Sequence, residues 1–183
     1  MAAKSTLVNM VSVLGITCLL CSAVLGFAYV LTEEPIRQAA QAKQQATITQ
    51  VLPAFSNVEF IEEGNYYKAT DGDKTVGYAI ISKVNGFGGP LTLLVGITAD
   101  GIVYNTSVLS HSETPGLGAK CTSDKKFMAQ WQNLNPAEKV LAVTKEGGSI
   151  DAITASTITS KAYTKAVANA LELFNTLGGQ SNE

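Results

Sequence analysis

Apolar and polar positions change their period along the chain, and each change predicts a different element. From Ser5 to Thr32, "STLVNMVSVLGITCLLCSAVLGFAYVLT", apolar residues run almost unbroken and no residue is charged. As a helix, Leu7 to Leu31 reaches about 37 Å, enough to cross a hydrocarbon core of about 30 Å with some tilt. A cleaved signal peptide has an apolar region of only about 7 to 15 residues, so a retained membrane anchor over residues 1–32 is expected instead. Residues 33–52, "EEPIRQAAQAKQQATITQVL", are polar and rich in Ala and Gln. They predict a stalk helix with Pro35 in its first turn, closed at Pro53.

Beyond Pro53 the period drops to two. "YYKATDGDKTVGYAIISKV" holds two β-prone runs around "DGD", a hairpin signal. "GFGGPLTLLVGITADGIVYNTSVLS" predicts a strand from Leu91 to Thr98, a turn at Asp100-Gly101 and a strand from Ile102 to Leu109. Together these make an antiparallel sheet with one buried face. "SDKKFMAQWQNL" reads as a short helix capped at Ser123, and "KVLAV" as a further strand. The last element returns to helical spacing: Ile158, Ala162, Ala166, Ala170 and Phe174 recur every four residues, widened by Val167 and Leu171 and ended by Gly178 and Gly179. Residues 53–183 are therefore expected to be an α+β domain, an antiparallel sheet with packed helices, preceded by one N-terminal transmembrane helix.

Charge adds the orientation. The formal net charge is −2 and no basic tract appears, so the chain offers no electrostatic footprint for nucleic acid. Lys4 and the terminal amine flank one end of the span, and Glu33 and Glu34 the other, with Arg37 counting against the contrast. The positive-inside rule then puts the N-terminus in the cytoplasm and the domain outside it, in a single-pass protein of the cell membrane. A span without charge has no ion path of its own. Cys18 and Cys21 form C-x-x-C inside the span, on one helix face, where small polarizable residues suit packing against a partner helix. Thr17 and Leu20 precede them, in place of the small residue a lipoprotein site needs, and Cys121 receives no role. Neither a catalytic triad nor a metal-ligand cluster is evident.

The candidate chemistry lies in "DAITASTITS", residues 151–160, which packs five hydroxyls and one carboxylate just ahead of the last helix. The ordinary reading is capping, for which Ser, Thr and Asp are good residues. The alternative is a phosphate, bound or covalently attached, because the free N–H groups and dipole of a helix start favour an anion. The glycine-rich phosphate signatures are missing, and a phosphate fixed as a threonine ester would need none. Composition leaves both open.

Asp151 to Thr157, Asp-x-x-Thr-Ala-Ser-Thr, resembles the flavinylation motif Asp-x-x-[Ser/Thr]-Gly-Ala-Thr of the FMN-binding domain family. The resemblance implies FMN joined by a phosphoester to Thr157, with Thr154 and Thr159 as alternatives. Ala155 and Ser156 stand where that family usually has Gly and Ala. "HSETPGLGAK", residues 111–120, is similar to the family's E-T-P-G-L-G flavin loop, and "GFGGPLTLLVGI" to the stretch before it. This implies cofactor contacts from Glu113, Thr114, Gly116, Leu117 and Gly118, and from Thr154 and Ser156 beside the ester. Asp151 would belong to the motif read by a metal-dependent flavin transferase. His111 alone is a weak catalytic candidate.

The three segments occur in family order, and the resemblance covers essentially the whole chain. It is strongest to the G subunits of Rnf-type ion-translocating electron-transport complexes. The related C subunits of sodium-pumping NADH:quinone reductases share the motif in a chain that is usually longer. The implied function is electron relay within a translocating oxidoreductase coupling ferredoxin and NAD, with no catalytic centre apart from the flavin and with membrane and redox subunits as partners. The alternatives are the corresponding quinone-reductase subunit, a membrane-tethered module that holds FMN or another anion outside any redox chain, and an anchored interaction domain without a cofactor.

Overall fold

The computed structural model describes residues 7–177. Lys4 of the orientation argument and the expected helix stop at Gly178 and Gly179 lie outside the described residues. Two compact units divide between Ala42 and Lys43.

The first unit is helical and belongs to α1 (Leu7–Val51). It carries a stretch long and apolar enough to cross a membrane, whose large side chains, from Leu7 to Leu31, are exposed. Residues 33–51, expected as a stalk helix, are helical as part of α1, which runs through Pro35 without a break. Glu34 accepts from Arg37 and Gln38 one turn later, which supports the helix where the proline N–H is missing.

The second unit is built on five antiparallel strands in sequence order, β1 (Asn57–Ile61), β2 (Tyr66–Asp71), β3 (Lys74–Asn85), β4 (Pro90–Thr98) and β5 (Val103–His111). Strand β1 was not foreseen. Both faces are covered, not one. On β4 the side chains alternate as a pleat requires: Leu91, Leu93, Val95 and Ile97 enter the main core, and Leu94 points to the opposite face. That second face is closed by the end of α1, where Ile48, Val51 and Leu52 pack on Ala69, Ala79 and Leu94.

The main core lies under α3 (Thr157–Leu177) and α2 (Lys125–Ala129). Helix α2 is capped by Asp124, which accepts from the N–H groups of Lys126 and Phe127, and not by Ser123. "KVLAV" forms no strand: the only ladder contact there is a single bridge from Val143 to Ile150. Val143 is buried as a loop residue, which explains the strand-like apolar pattern without a strand. Trp131 stacks on Tyr163 at 5.2 Å, and Phe127 meets the same ring edge-on at 5.1 Å. The Tyr163 hydroxyl pairs with Thr106 Oγ1 at 2.8 Å and so ties α3 to β5. Burial pushes the Tyr163 phenol up, well above the ordinary range.

Candidate functional site

A cavity of about 350 Å³ opens where three segments converge: the β3–β4 loop, the loop after β5 and the first turn of α3. Phe87 comes from the first, Glu113, Thr114, Leu117 and Gly118 from the second, and residues 155–159 from the third. The structure thus brings together three stretches separated by tens of residues, and six of the nine expected contact residues line one space. Gly116 belongs to the same loop, at φ +76° in open space, but does not line the cavity. Asp151 and Thr154 face a different hollow of about 230 Å³, beside Asp124, Lys126 and Gln130.

The hydroxyl-rich segment is not a set of caps. Ser160 Oγ accepts from Ile153 N–H at 2.9 Å and donates back to the Ser156 carbonyl at 3.0 Å. Thr159 Oγ1 donates to Glu113 Oε2 at 2.9 Å. Thr164 Oγ1 donates to the Ser160 carbonyl at 2.9 Å. Ser156 stands in the capping position, yet its Oγ is buried and has no hydrogen-bond partner. The first helical bond runs from Ser160 N–H to the Ser156 carbonyl, and among the described residues the N–H groups of Thr157, Ile158 and Thr159 find no acceptor. A helix start with three free donors and one orphaned buried hydroxyl suits an anion that is not part of the chain. Thr157 is the first residue of α3, half-buried at the cavity wall.

The turn that delivers Thr157 is tight. Ser156 N–H donates to the Ile153 carbonyl at 3.0 Å, and Ala155 inside that turn sits at φ +61°. This is the left-handed position where a type II turn favours glycine. It gives a physical reason for the glycine of the resembling motif and marks Ala155 as strained here.

The rim is apolar. Phe87 is 67% exposed, Ile158 54% and Leu117 44%, and all three border the cavity. Exposed large apolar side chains around a concave site provide flat contact surface for a planar ring. Ile158 was expected to begin the buried stripe of α3. It turns to the cavity instead, while Ala162, Ala166, Val167, Ala170, Leu171 and Phe174 are buried as expected. Phe87 and Ile158 were missed as site residues. The only signal for Phe87 was a large aromatic set among three glycines in "GFGG".

Glu113 closes the floor. It is 6% exposed and accepts from Phe87 N–H at 2.9 Å, Gly88 N–H at 3.4 Å and the Thr159 hydroxyl. Its own N–H donates to His111 Nδ1 at 3.2 Å. Cys121 lies buried behind it, and burial together with the Glu113 charge pushes its thiol up to about 11. No group of His, Cys, Asp or Glu able to hold a metal ion occurs among the described residues.

Comparison with known proteins fits this arrangement. The family model described as FMN-binding domain matches residues 86–172, which spans all three cavity segments. The G subunit of the proton-translocating ferredoxin:NAD(+) oxidoreductase complex of Clostridium ljungdahlii is 35% identical over 172 residues, 91% of this chain and 90% of that one. The G subunit of the ion-translocating oxidoreductase complex of Methanosarcina acetivorans is 32% identical over 163 residues, 82% of this chain and 85% of that one. Among solved structures, NqrC of Shewanella oneidensis superposes with a TM-score of 0.51 at 18% identity, covering 72% of each chain, a likeness of fold.

Proposed function

The chain belongs to the G subunits of ion-translocating oxidoreductase complexes, and from that premise we propose that it is an electron-relay subunit carrying FMN as a phosphoester on Thr157. The observation that carries the reading is the start of α3: three free N–H groups and the orphaned Ser156 hydroxyl converge beside the one threonine that is both first in the helix and at the cavity wall. The phosphate ester keeps a negative charge, which the helix N-terminus favours by about 0.3–1 kcal/mol where exposed. Phe87, Leu117 and Ile158 would bear on the ring, Thr114 and Gly118 would line its edge, and Ser156 Oγ would donate to the phosphate.

FMN supplies one- and two-electron redox chemistry when bound. The protein's part is to hold the ring at a fixed place, exclude water from one side of it and set its potential. Neither a nucleophile nor an acid-base pair is needed for that task. The relatives' names supply the setting: a multi-subunit membrane complex that passes electrons between ferredoxin and NAD and moves ions, with translocation in other subunits, since the span of α1 is uncharged. Lys4 against Glu33 and Glu34, with Arg37 counting against the contrast, supports a flavin domain outside the cytoplasm. A flavin transferase would load it, meeting Asp151 and Thr154 at the second hollow.

Coexpression of the full chain with a flavin transferase, followed by a denaturing gel viewed for flavin fluorescence, tests this reading. Wild type and Thr157→Ser should retain fluorescence through denaturation, and Thr157→Ala should lose it. Fluorescence retained in Thr157→Ala would refute the assignment.

A further inference from the structure

A buried carboxylate needs satisfied hydrogen bonds, and Glu113 has them from three directions. Phe87 N–H, Gly88 N–H and the Thr159 hydroxyl all donate to it, and its side chain donates nothing in return. Two glycines from different loops clear the space. A Cβ at Gly86 would overlap Glu113 Oε1, and a Cβ at Gly118 would overlap Oε2 and lie 2.7 Å from Thr159 Oγ1. The carboxylate therefore has one position, in the wall of the cavity.

No cation faces it. The cavity is lined by no Lys or Arg. The ion pairs among the described residues are Arg37 with Glu34 and Lys161 with Glu146, both away from the cavity lining. The charge of Glu113 is felt through the interior, where it is the second cause, after burial, of the raised Cys121 thiol. Within a partly enclosed cavity the Coulomb interaction of two charges exceeds its value in bulk water.

Resting on the flavin reading above, we infer that Glu113 holds down the reduction potential of the cofactor, as a fixed negative charge set in the cavity wall. Any electron added to a group in this cavity meets that charge. A reduced form that takes up fewer protons than electrons keeps added negative charge and is therefore penalised, whereas the oxidised form is not. Thr159 moderates the effect: its hydroxyl delocalises part of the carboxylate charge into a hydrogen bond. Glu113 is in this sense a potential-setting residue, distinct from the threonine that carries the group.

The sign of the effect separates this role from simple bracing of loops. In Glu113→Gln the remaining carbonyl oxygen still accepts from Phe87 N–H. The new amide can donate to Thr159, whose hydroxyl can accept; the long bond from Gly88 N–H is lost, while the 2.9 Å bond from Phe87 N–H still ties the two loops. Thr159→Val keeps the charge and removes the donor. The experiment is spectroelectrochemical titration of the flavin-loaded full chain in detergent at fixed pH, wild type beside both variants. Glu113→Gln should raise the reduced-to-oxidised ratio at a given ambient potential at least tenfold, an upward shift of about 30 mV for a two-electron couple. Thr159→Val should move the potential downward. An unmoved or lowered potential in Glu113→Gln, an upward shift in both variants, or a Glu113→Gln chain that takes up no flavin would each overturn the assignment. A wild-type chain that carries no flavin after coexpression with a flavin transferase would instead overturn the flavin reading, and this assignment with it.

Discussion

Gln130 holds Asp151 by both of its backbone polar groups: the amide oxygen accepts Asp151 N–H at 2.7 Å, and the amide nitrogen donates to the Asp151 carbonyl at 3.1 Å. A side chain at the end of α2 thus does for one residue what a paired strand would do. Two residues on, Ser160 Oγ takes Ile153 N–H, so the approach to Thr157 is pinned from two helices. Gln130→Ala removes both bonds. The expected cost is about 1–2 kcal/mol, measured as the denaturant midpoint of the full chain in detergent with Trp131, the only tryptophan, as fluorescent reporter. An unchanged midpoint would mean that the segment keeps its path without Gln130.

Ala155 carries a backbone cost that glycine would not. Its φ of +61° lies in the left-handed region, disfavoured for residues with a Cβ by about 1–2 kcal/mol. Glycine loses some of that gain to its freer unfolded state. Ala155→Gly should therefore stabilise the chain by up to about 1 kcal/mol, and Ala155→Val should destabilise it. The same unfolding assay checks both signs.

Gly118→Ala tests how closely the floor of the site is packed. The added methyl would meet Glu113 Oε2 and Thr159 Oγ1, neither of which can retreat without breaking a hydrogen bond. A loss of about 1–3 kcal/mol is expected from overpacking, with lowered flavin content per chain by absorbance. Normal stability together with full flavin content would contradict the packing described.

Alkaline conditions should weaken the fold through buried acids. The Cys121 thiol is raised by burial, then by Glu113, from 9.0 to about 11, and the Tyr163 phenol is raised by burial as well. Below pH 9 the native and unfolded chains both hold the thiol proton, and the stabilising contribution is complete. As pH rises from about 9 through about 11 the unfolded chain releases the proton first, so stability falls. Cys121→Ala should show a shallower fall over that window in unfolding midpoints taken at stepped pH. An identical fall would assign the loss to other groups.

Much of this could be read from the chain, because period and turn chemistry act locally. Strands β4 and β5 lie within a residue or two of the expected bounds, and Gly101 at φ +80° makes the turn between them. The stripe of α3 from Ala162 to Phe174 is buried as its spacing required. What failed was decided by tertiary packing. Val143 is apolar because it is buried in a loop, not because it is in a strand. The second buried face depends on Ile48, Val51 and Leu52, whose i, i+3, i+4 spacing marks one apolar turn at the end of a polar helix but does not say which surface covers it. At the site, the motif residues carried the location, Phe87 was marked only by its glycine-rich stretch, and Ile158 entered through folding alone. Ile158 fits the helical stripe and still lines the cavity, because it lies in the first turn of α3, beside the loops that form the cavity.

Peptide mass spectrometry on protein from its native membrane bears most directly on the covalent flavin. The segment that follows Lys145 and ends at Lys161 contains Thr154, Thr157 and Thr159, so fragmentation distinguishes them. The expected result is a gain equal to FMN less one water, localised to Thr157. An unmodified peptide at full occupancy, or the same gain on Thr154 or Thr159, would contradict it.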